Sequence, residues 1–205
     1  MSLTVITYDG AVGRWQPDAR GRLAQAALQL YRERGFDQTT VADIARCAGL
    51  TERTFFRYFA DKREVLFWGA AALQERIVGT VASAPAEVAP LEAVARGLEA
   101  GAALLEERRD HARQRQTVIA ANAELREREL IKLATLASAV ADALRQRGLG
   151  EPAASLTAEV GLAAFRVAFE RWLDERTTLP LARVIRASLD ELQAAITGTR
   201  GQRTT

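Results

Sequence analysis

The sequence predicts an all-α protein, with a small three-helix unit at the N-terminus followed by a larger helical unit. Apolar residues recur at helical spacing along most of the 205 residues, and Gly and Pro separate these segments. No stretch alternates apolar and polar residues as a half-buried strand does. We expect the two units to cover residues 14–63 and 64–197, with residues 1–13 and 198–205 disordered.

Residues 39–62, TTVADIARCAGLTERTFFRYFADK, predict two short helices joined by a tight turn. Thr40 suits the N-cap of the first helix, with Asp43 in the position of a capping-box acid. Gly49 ends that helix, and Thr51 caps the second. A three-residue turn containing Gly is typical of a helix-turn-helix.

The second of these helices has an apolar ridge and a polar face. Phe55 and Phe59 lie one turn apart and are expected to face the core. The opposite side carries two guanidinium groups, a hydroxyl and a phenol, from Arg53, Arg57, Thr54 and Tyr58. Arg can bond guanine with two hydrogen bonds, Thr can contact a base or a thymine methyl, and Tyr reaches phosphate. The pattern therefore indicates a helix that contacts DNA.

This segment resembles the N-terminal domain of the TetR family of transcriptional repressors. The family pattern is a Thr pair, an apolar helix that ends in Ala-Gly, a hydroxyl cap, two aromatics, Tyr, Phe, and Lys after a spacer. The matching residues in this sequence are Thr39, Thr40, Ala48, Gly49, Thr51, Phe55, Phe56, Tyr58, Phe59 and Lys62. The second aromatic is usually Tyr in the family and is Phe56 here, so a hydroxyl that often binds phosphate is missing. The resemblance implies a repressor that releases a double-stranded DNA operator when a small molecule binds.

The predicted DNA-binding surface divides into base readers and phosphate contacts. We expect Arg53, Thr54 and Arg57 to read bases, with Glu52 as a further candidate. The resemblance assigns phosphate contacts to Thr40, Thr51, Tyr58 and Lys62, and it places Phe56 on the same surface. Residues 14–63 hold ten Lys or Arg against six Asp or Glu, although the net charge of the chain is only +2. A local basic excess favours phosphate.

Other classes of function find little support in the sequence. One His and one Cys provide neither a disulfide nor a zinc site, and we find no catalytic constellation, so neither an enzyme nor a cofactor is predicted. No run of 18 apolar residues and no signal peptide occur, which predicts a cytoplasmic protein with no membrane partner. A helical module that binds another protein is the alternative, but it leaves the polar face of the second helix without a reason.

Around the helix-turn-helix, two further helices are predicted. The first begins at Pro17 or Asp18 and ends at Gly35, after which Phe36 folds back into a core with Phe55 and Phe59. Before it, Arg14 belongs to an arm that either enters the minor groove or is disordered. Another helix is expected from Asp61 to about Gly79, capped by Asp61 with Glu64 as capping-box acid.

The C-terminal unit is expected to contain a linker and at least four helices. Pro85 and Pro90 indicate the linker, over residues 81–90. Helices follow at 91–105, 124–147, 152–174 and 180–196, closed by Gly and Pro. The stretch EERRDHARQRQ and the later ELRERE, where charges alternate, are predicted to be solvated faces.

A homodimer is predicted from the helix at 152–174, which is apolar nearly all round. With the helix at 180–196 it would form a four-helix interface, spacing the two DNA-binding helices by about 34 Å or a multiple on a pseudo-palindrome. The predicted interface residues are Val160, Ala164, Val167, Ala168, Val184, Ile185 and Leu189. Ordinary core burial is the alternative explanation of the same pattern.

An apolar or amphipathic ligand is predicted in the C-terminal unit, because many facing residues there are Ala and would leave space. The predicted wall residues are Leu105, Val118, Leu133, Phe165 and Phe169, with Gln114 and His111 as polar contacts. An exposed His and a fully packed core are the alternatives. Binding would reach the DNA-binding unit through the helix that joins the two units.

Overall fold

The computed structural model describes residues 19–198, which form nine α-helices and one 3-10 helix and no strand. In chain order they are α1 (Ala19–Arg34), α2 (Val41–Cys47), α3 (Glu52–Tyr58), the 3-10 helix (Glu64–Phe67), α4 (Ala70–Ala82), α5 (Pro90–Glu106), α6 (Arg109–Ala120), α7 (Ala123–Gln146), α8 (Ala153–Leu173) and α9 (Leu181–Thr197). The all-α prediction is confirmed. The expectations for residues 1–13, 199–205 and Arg14 lie outside the described residues.

Side-chain caps fix the two helices of the helix-turn-helix as the sequence predicts. Thr40 Oγ1 accepts a hydrogen bond from Asp43 N at 3.1 Å, and Asp43 Oδ2 accepts from Thr40 N at 3.2 Å, which completes the capping box. Thr51 Oγ1 accepts from Thr54 N at 3.2 Å. Between them Gly49 adopts φ +65°, a left-handed conformation that Gly takes without strain.

The helix predicted from Asp61 to Gly79 is wrong as a single element. The chain instead forms the 3-10 helix Glu64–Phe67 and begins α4 at Ala70. Asp61 lies just before the 3-10 helix, and its Oδ1 accepts from Arg63 N at 2.8 Å and from Glu64 N at 3.1 Å, but the N-cap of that helix is Arg63. The Glu64 carboxylate does not complete a capping box, because it bonds Arg128 and Lys132 on α7. A tertiary contact therefore replaces the predicted local one.

The stretch predicted to be solvated is largely the helix α6, and part of it is held against other helices. Arg109 Nη2 donates to three backbone carbonyls at the C-terminal end of α8 and just beyond it, those of Trp172, Asp174 (3.0 Å) and Thr177 (2.7 Å). Its guanidinium also lies 5.3 Å from the ring centroid of Trp172. Charge alternation alone does not distinguish a solvated face from one whose arginines close the ends of neighbouring helices.

Two hydrophobic cores divide the chain. The N-terminal core includes Phe36, Phe55 and Phe59, which confirms the predicted three-helix packing. It also takes in the 3-10 helix and three residues from the α6–α7 corner, namely Val118, Ile119 and Leu125. The C-terminal core joins α4, α5, α7, α8 and α9. The α6–α7 corner therefore belongs to the packing of the N-terminal unit, although it lies far along the sequence.

Small residues in the C-terminal core bring helices together. A Cβ placed on Gly97 would lie 2.8 Å from Val81 Cγ2 and 2.9 Å from Ile77 O, both on α4. A Cβ on Gly101 would lie 2.7 Å from Ile77 Cγ1. Ala93 and Ala102 on the same helix are fully buried. Small residues on α5 thus permit close contact with α4. The prediction that small residues leave empty space in the C-terminal unit is wrong for this pair of helices.

Candidate DNA-binding interface

The helix α3 buries one side and presents the other to solvent. Phe55 is fully buried and Phe59 is 4% exposed, and their ring centroids lie 5.5 Å apart. Arg53 and Arg57 are exposed on the opposite side, and Thr54 is half-buried. The hydrogen bond from Thr54 N to Thr51 and the buried rings of Phe55 and Phe59 together fix the position of this exposed face relative to the core.

Two aromatic side chains frame this exposed face. Arg57 Nη2 donates to Tyr58 Oη at 3.1 Å, and its guanidinium carbon lies 4.9 Å from the Tyr58 ring centroid. Phe56 is 56% exposed and packs edge-on to Phe55. A ring without a hydroxyl can make apolar contact with a thymine methyl, but it offers no donor to phosphate. Arg57 keeps its other N–H donors and Tyr58 keeps its own O–H donor, so both side chains remain able to donate to DNA.

The hydroxyls of Thr40 and Thr51 are engaged in helix caps. The Thr40 hydroxyl donates a hydrogen bond to Asp43 Oδ2 at 2.6 Å. Thr51 Oγ1 lies 3.0 Å from Thr54 Oγ1. Hydrogen bonding to Thr40 is the largest cause of a lowered pKa for Asp43, so this carboxylate keeps its charge and its hold on the hydroxyl. A phosphate would have to compete with Asp43 for the Thr40 proton. Their predicted phosphate contacts stay predictions.

Lys62 holds the loop between α1 and α2. Its ammonium donates to Phe36 O at 2.8 Å, Thr39 O at 3.0 Å and Asp37 O at 3.4 Å, and it lies 4.3 Å from the Phe36 ring centroid. Three carbonyls match the three donors of an ammonium. This geometry argues against the predicted phosphate contact, because no proton of Lys62 remains for DNA.

Tyr31 also takes part in this arrangement, and no pattern in the sequence predicts its role. Its hydroxyl donates to Lys62 O at 2.6 Å, and burial, followed by the charge of Asp61, raises the pKa of the phenol well above its usual value. The phenol thus stays protonated and bonded at neutral pH. Together the two side chains tie α1, the loop before α2 and the segment after α3 into one unit.

We expect Lys62→Met to destabilise the fold by about 1 to 3 kcal/mol, because it keeps the aliphatic stem but leaves buried carbonyls without a donor. Urea denaturation followed by circular dichroism measures this. Arg46→Met is the control, because the Arg46 side chain is 77% exposed and, within residues 19–198, pairs only with Asp43. A stability equal to that of the parent protein, together with a salt slope of DNA binding lowered by about 1, would instead support the phosphate contact.

A second group of polar contacts joins the DNA-binding unit to α6 and α7. Arg115 Nε donates to Leu66 O at 2.7 Å, and its Nη1 donates to Glu129 Oε1 at 3.2 Å. Its guanidinium carbon lies 4.8 Å from the Phe67 ring centroid. Burial lowers the pKa of Arg115, and the charge of Glu129 opposes that shift. The alternating charges of ELRERE predict a solvated face. The prediction is wrong for Glu129, because its carboxylate binds Arg115.

The residues predicted to enclose a ligand are divided between the two cores. Phe165 and Phe169 stack with ring centroids 5.9 Å apart in the C-terminal core, and Leu105 and Leu133 pack against the same core. Val118 lies in the N-terminal core. His111 is exposed on α6, and Gln114 is half-buried. Although the residue as a whole is exposed, partial burial of its ring, then the charges of Arg115 and Arg108, lowers the pKa of His111.

Most residues predicted at a dimer interface are covered within the chain itself. Five are at most 6% exposed in the C-terminal core: Ala164, Ala168, Val184, Ile185 and Leu189. Val160 is half-buried and Val167 is 48% exposed. The exposed side of α8 carries Leu156, Val160, Ala163 and Val167 at successive turns. The apolar character of α8 thus has two causes, the chain's own core on one side and this exposed stripe on the other.

Two family models match this chain. The model of the N-terminal domain of bacterial regulatory proteins of the tetR family matches residues 23–67. The model of the MftR C-terminal domain matches residues 88–197, more than half of the chain. The first match contains the helix-turn-helix and its core, and the second contains α5 to α9.

Known relatives are regulators of transcription. The chain is 26% identical over 194 residues to MftR of Mycobacterium tuberculosis, a proposed regulator of mycofactocin biosynthesis, covering 90% of this chain and 98% of MftR. It is 37% identical over 75 residues to the regulator TcmR of Streptomyces glaucescens, covering 37% of this chain but only 33% of TcmR. FadR of Bacillus subtilis, solved with stearoyl-CoA, shares the fold with a TM-score of 0.59 and 20% identity, over 84% of this chain and 96% of that one.

These matches agree with the exposed polar face of α3, because both relatives are named as regulators of transcription. Within residues 19–198, no group of His, Cys, Asp and Glu side chains could hold a metal ion. None of the described helices is both long and apolar enough to cross a membrane. The chain belongs to the TetR family of bacterial transcriptional regulators.

Proposed function

We propose that this protein is a homodimeric, ligand-responsive repressor that binds a pseudo-palindromic operator through α3. The observation that carries the proposal is the exposed face of α3, where Arg53 and Arg57 stand beside Thr54 on a helix whose other side is locked into the core. Arg is the side chain most often used to read guanine in the major groove. Thr40, Thr51 and Tyr58 remain proposed phosphate contacts.

The proposed dimer uses the stripe on α8 together with the exposed end of α9. Leu156, Val167 and Ile196 are 62%, 48% and 74% exposed, and exposed apolar side chains that group on one surface mark protein–protein interaction sites. Arg171 on α8 bonds Ser188 and Glu191 on α9, and only a short connection joins the two helices, so they run antiparallel. Two such pairs related by a two-fold axis would cover both surfaces.

The proposed response to a ligand rests on the contacts between α6, α7 and the 3-10 helix. Any ligand that alters the packing of α6 or α7 would act on Leu66 through Arg115 and on Glu64 through Arg128. A preference of about 1 to 3 kcal/mol for one arrangement is enough to change operator occupancy substantially. An apolar or amphipathic ligand near Phe165 and Phe169 remains our proposal for the C-terminal core.

Fluorescence anisotropy tests the DNA-binding proposal. The probe is labelled duplex taken from upstream of the protein's own coding region, titrated at two salt concentrations against a scrambled duplex of equal length. We expect sequence-selective binding that weakens steeply as salt rises. A protein-binding helical module would show no selectivity between the two duplexes, and that result would reject the proposal.

A further inference from the structure

A cavity of about 280 Å³ lies between the DNA-binding unit and α7. Its walls come from the start of α1, the end of α3, the 3-10 helix, the start of α4 and the middle of α7: Arg20, Tyr58, Phe59, Ala60, Glu64, Phe67, Trp68, Ala70, Ala71, Arg128 and Lys132. It is separate from the C-terminal core, where Phe165 and Phe169 lie. An occupant of this cavity would touch the end of α3 directly.

Two cations in the lining of the cavity, Arg128 and Lys132, face one carboxylate, Glu64. Glu64 Oε1 accepts from Arg128, and Glu64 Oε2 accepts from Lys132 Nζ at 3.1 Å. The Arg128 and Lys132 side chains are about one-third exposed, so solvent and solutes reach them. One carboxylate is therefore shared by two cations that each could bind a second anion.

Aromatic rings form the rest of the wall. The Arg20 guanidinium carbon lies 5.6 Å from the Phe59 ring centroid and 5.7 Å from the Trp68 ring centroid. Trp68 is half-buried, and Phe67 beside it is buried. The partly exposed ring of Trp68 next to cations suits a planar ligand with an acidic group, and the cavity volume is near the lower limit of small-molecule sites.

We propose that this cavity binds a small planar aromatic carboxylate. The ligand's carboxylate takes Arg128 and Lys132 in competition with Glu64, and its ring packs against the exposed part of Trp68. Because Glu64 begins the 3-10 helix that follows α3, loss of its two partners loosens the contact between α7 and the DNA-binding unit. Bound ligand therefore lowers operator affinity. This last step rests on the proposed function, whereas the binding site itself does not.

Isothermal titration calorimetry with 1-naphthoate tests the site, with the neutral isostere 1-naphthamide as matched ligand. We expect the anion to bind about tenfold more tightly than the amide, since a charge-assisted hydrogen bond is stronger than a neutral one. Lys132→Gln should remove most of this preference. Glu64→Gln should strengthen naphthoate binding severalfold because it removes the competing carboxylate, an effect that mere structural damage would not produce. Arg96→Gln on α5 controls for net charge.

Ala71→Trp fills the cavity from an exposed position of the wall, so it should abolish naphthoate binding in a folded protein. Equal affinity for the anion and the amide, or naphthoate binding unchanged in Lys132→Gln and Ala71→Trp, would overturn the site. Saturating naphthoate should weaken operator binding at least fivefold in the parent protein and not in Ala71→Trp. Charge-dependent naphthoate binding without this loss would overturn the coupling. A failure of operator binding in the absence of naphthoate would reject the proposed function and leave the site standing.

Discussion

The double substitution A163R/V167R is expected to give a folded monomer whose operator affinity is at least about 100-fold lower than that of the parent protein. Both side chains are exposed in the protomer, so the change leaves its core intact. In the proposed dimer, the substitutions would place four guanidinium groups against one another across the two-fold axis. A monomer would reach only one half-site at a time, and the advantage of tethering the second half-site is lost.

Light scattering measures the mass, circular dichroism measures the helix content, and anisotropy measures operator binding. Ala103→Arg, at an exposed position of α5, is the matched control and should stay dimeric. An Arg at Ala168 cannot test dimerisation, because Ala168 is fully buried in the protomer's own core and the charge would unfold it. A dimer that persists in A163R/V167R would place the interface on another surface.

Local signals in the sequence predict the helix-turn-helix well. The caps at Thr40 and Thr51, the glycine at 49 and the aromatic pair on α3 each depend on neighbours within a few residues. These features do not depend on the rest of the fold. A capping hydroxyl, for example, needs only the backbone N–H groups of its own helix. The buried side of α3 follows from spacing alone, so the exposed face follows as well.

The contacts between the two units could not be predicted from signals within a few residues of one another. Asp61 and Glu64 have the spacing of a capping box, but Glu64 bonds Arg128 and Lys132, more than 60 residues away in sequence. Lys62 resembles a phosphate ligand by position, but the nearby carbonyls of residues 36, 37 and 39 engage its ammonium. Long charged side chains choose partners by tertiary proximity, which helical periodicity does not reveal.

The dimer residues illustrate a further limit. An all-apolar helix such as α8 can bury one side in its own chain and the other in a partner, and periodicity cannot tell the two sides apart. Val167 was predicted alongside Ala168, its neighbour in sequence, but one is 48% exposed and the other fully buried. Only the packing of α8 against α5, α7 and α9 separates them.

Arg57→Ala is expected to weaken operator binding by about 1 to 3 kcal/mol and to relax sequence preference at one base pair of each half-site. Arg57 is exposed and held by Tyr58 through a single hydrogen bond and a ring contact. Exposed interactions of this kind stabilise by about 1 kcal/mol or less, so DNA can draw the guanidinium away. A guanine in the major groove offers it two acceptors in place of one phenol oxygen.

Arg57→Lys separates base reading from charge. Lys keeps the positive charge but lacks the planar fork, so we expect it to retain the salt slope of the parent protein while losing preference for the contacted base. Anisotropy with single-base variants of the operator, at two salt concentrations, measures both quantities. Arg46→Ala is the matched control, because that side chain is exposed on α2 and bonds Asp43. If Arg57→Ala weakens binding equally for every operator variant, Arg57 contacts phosphate, and base reading falls to Arg53 and Thr54.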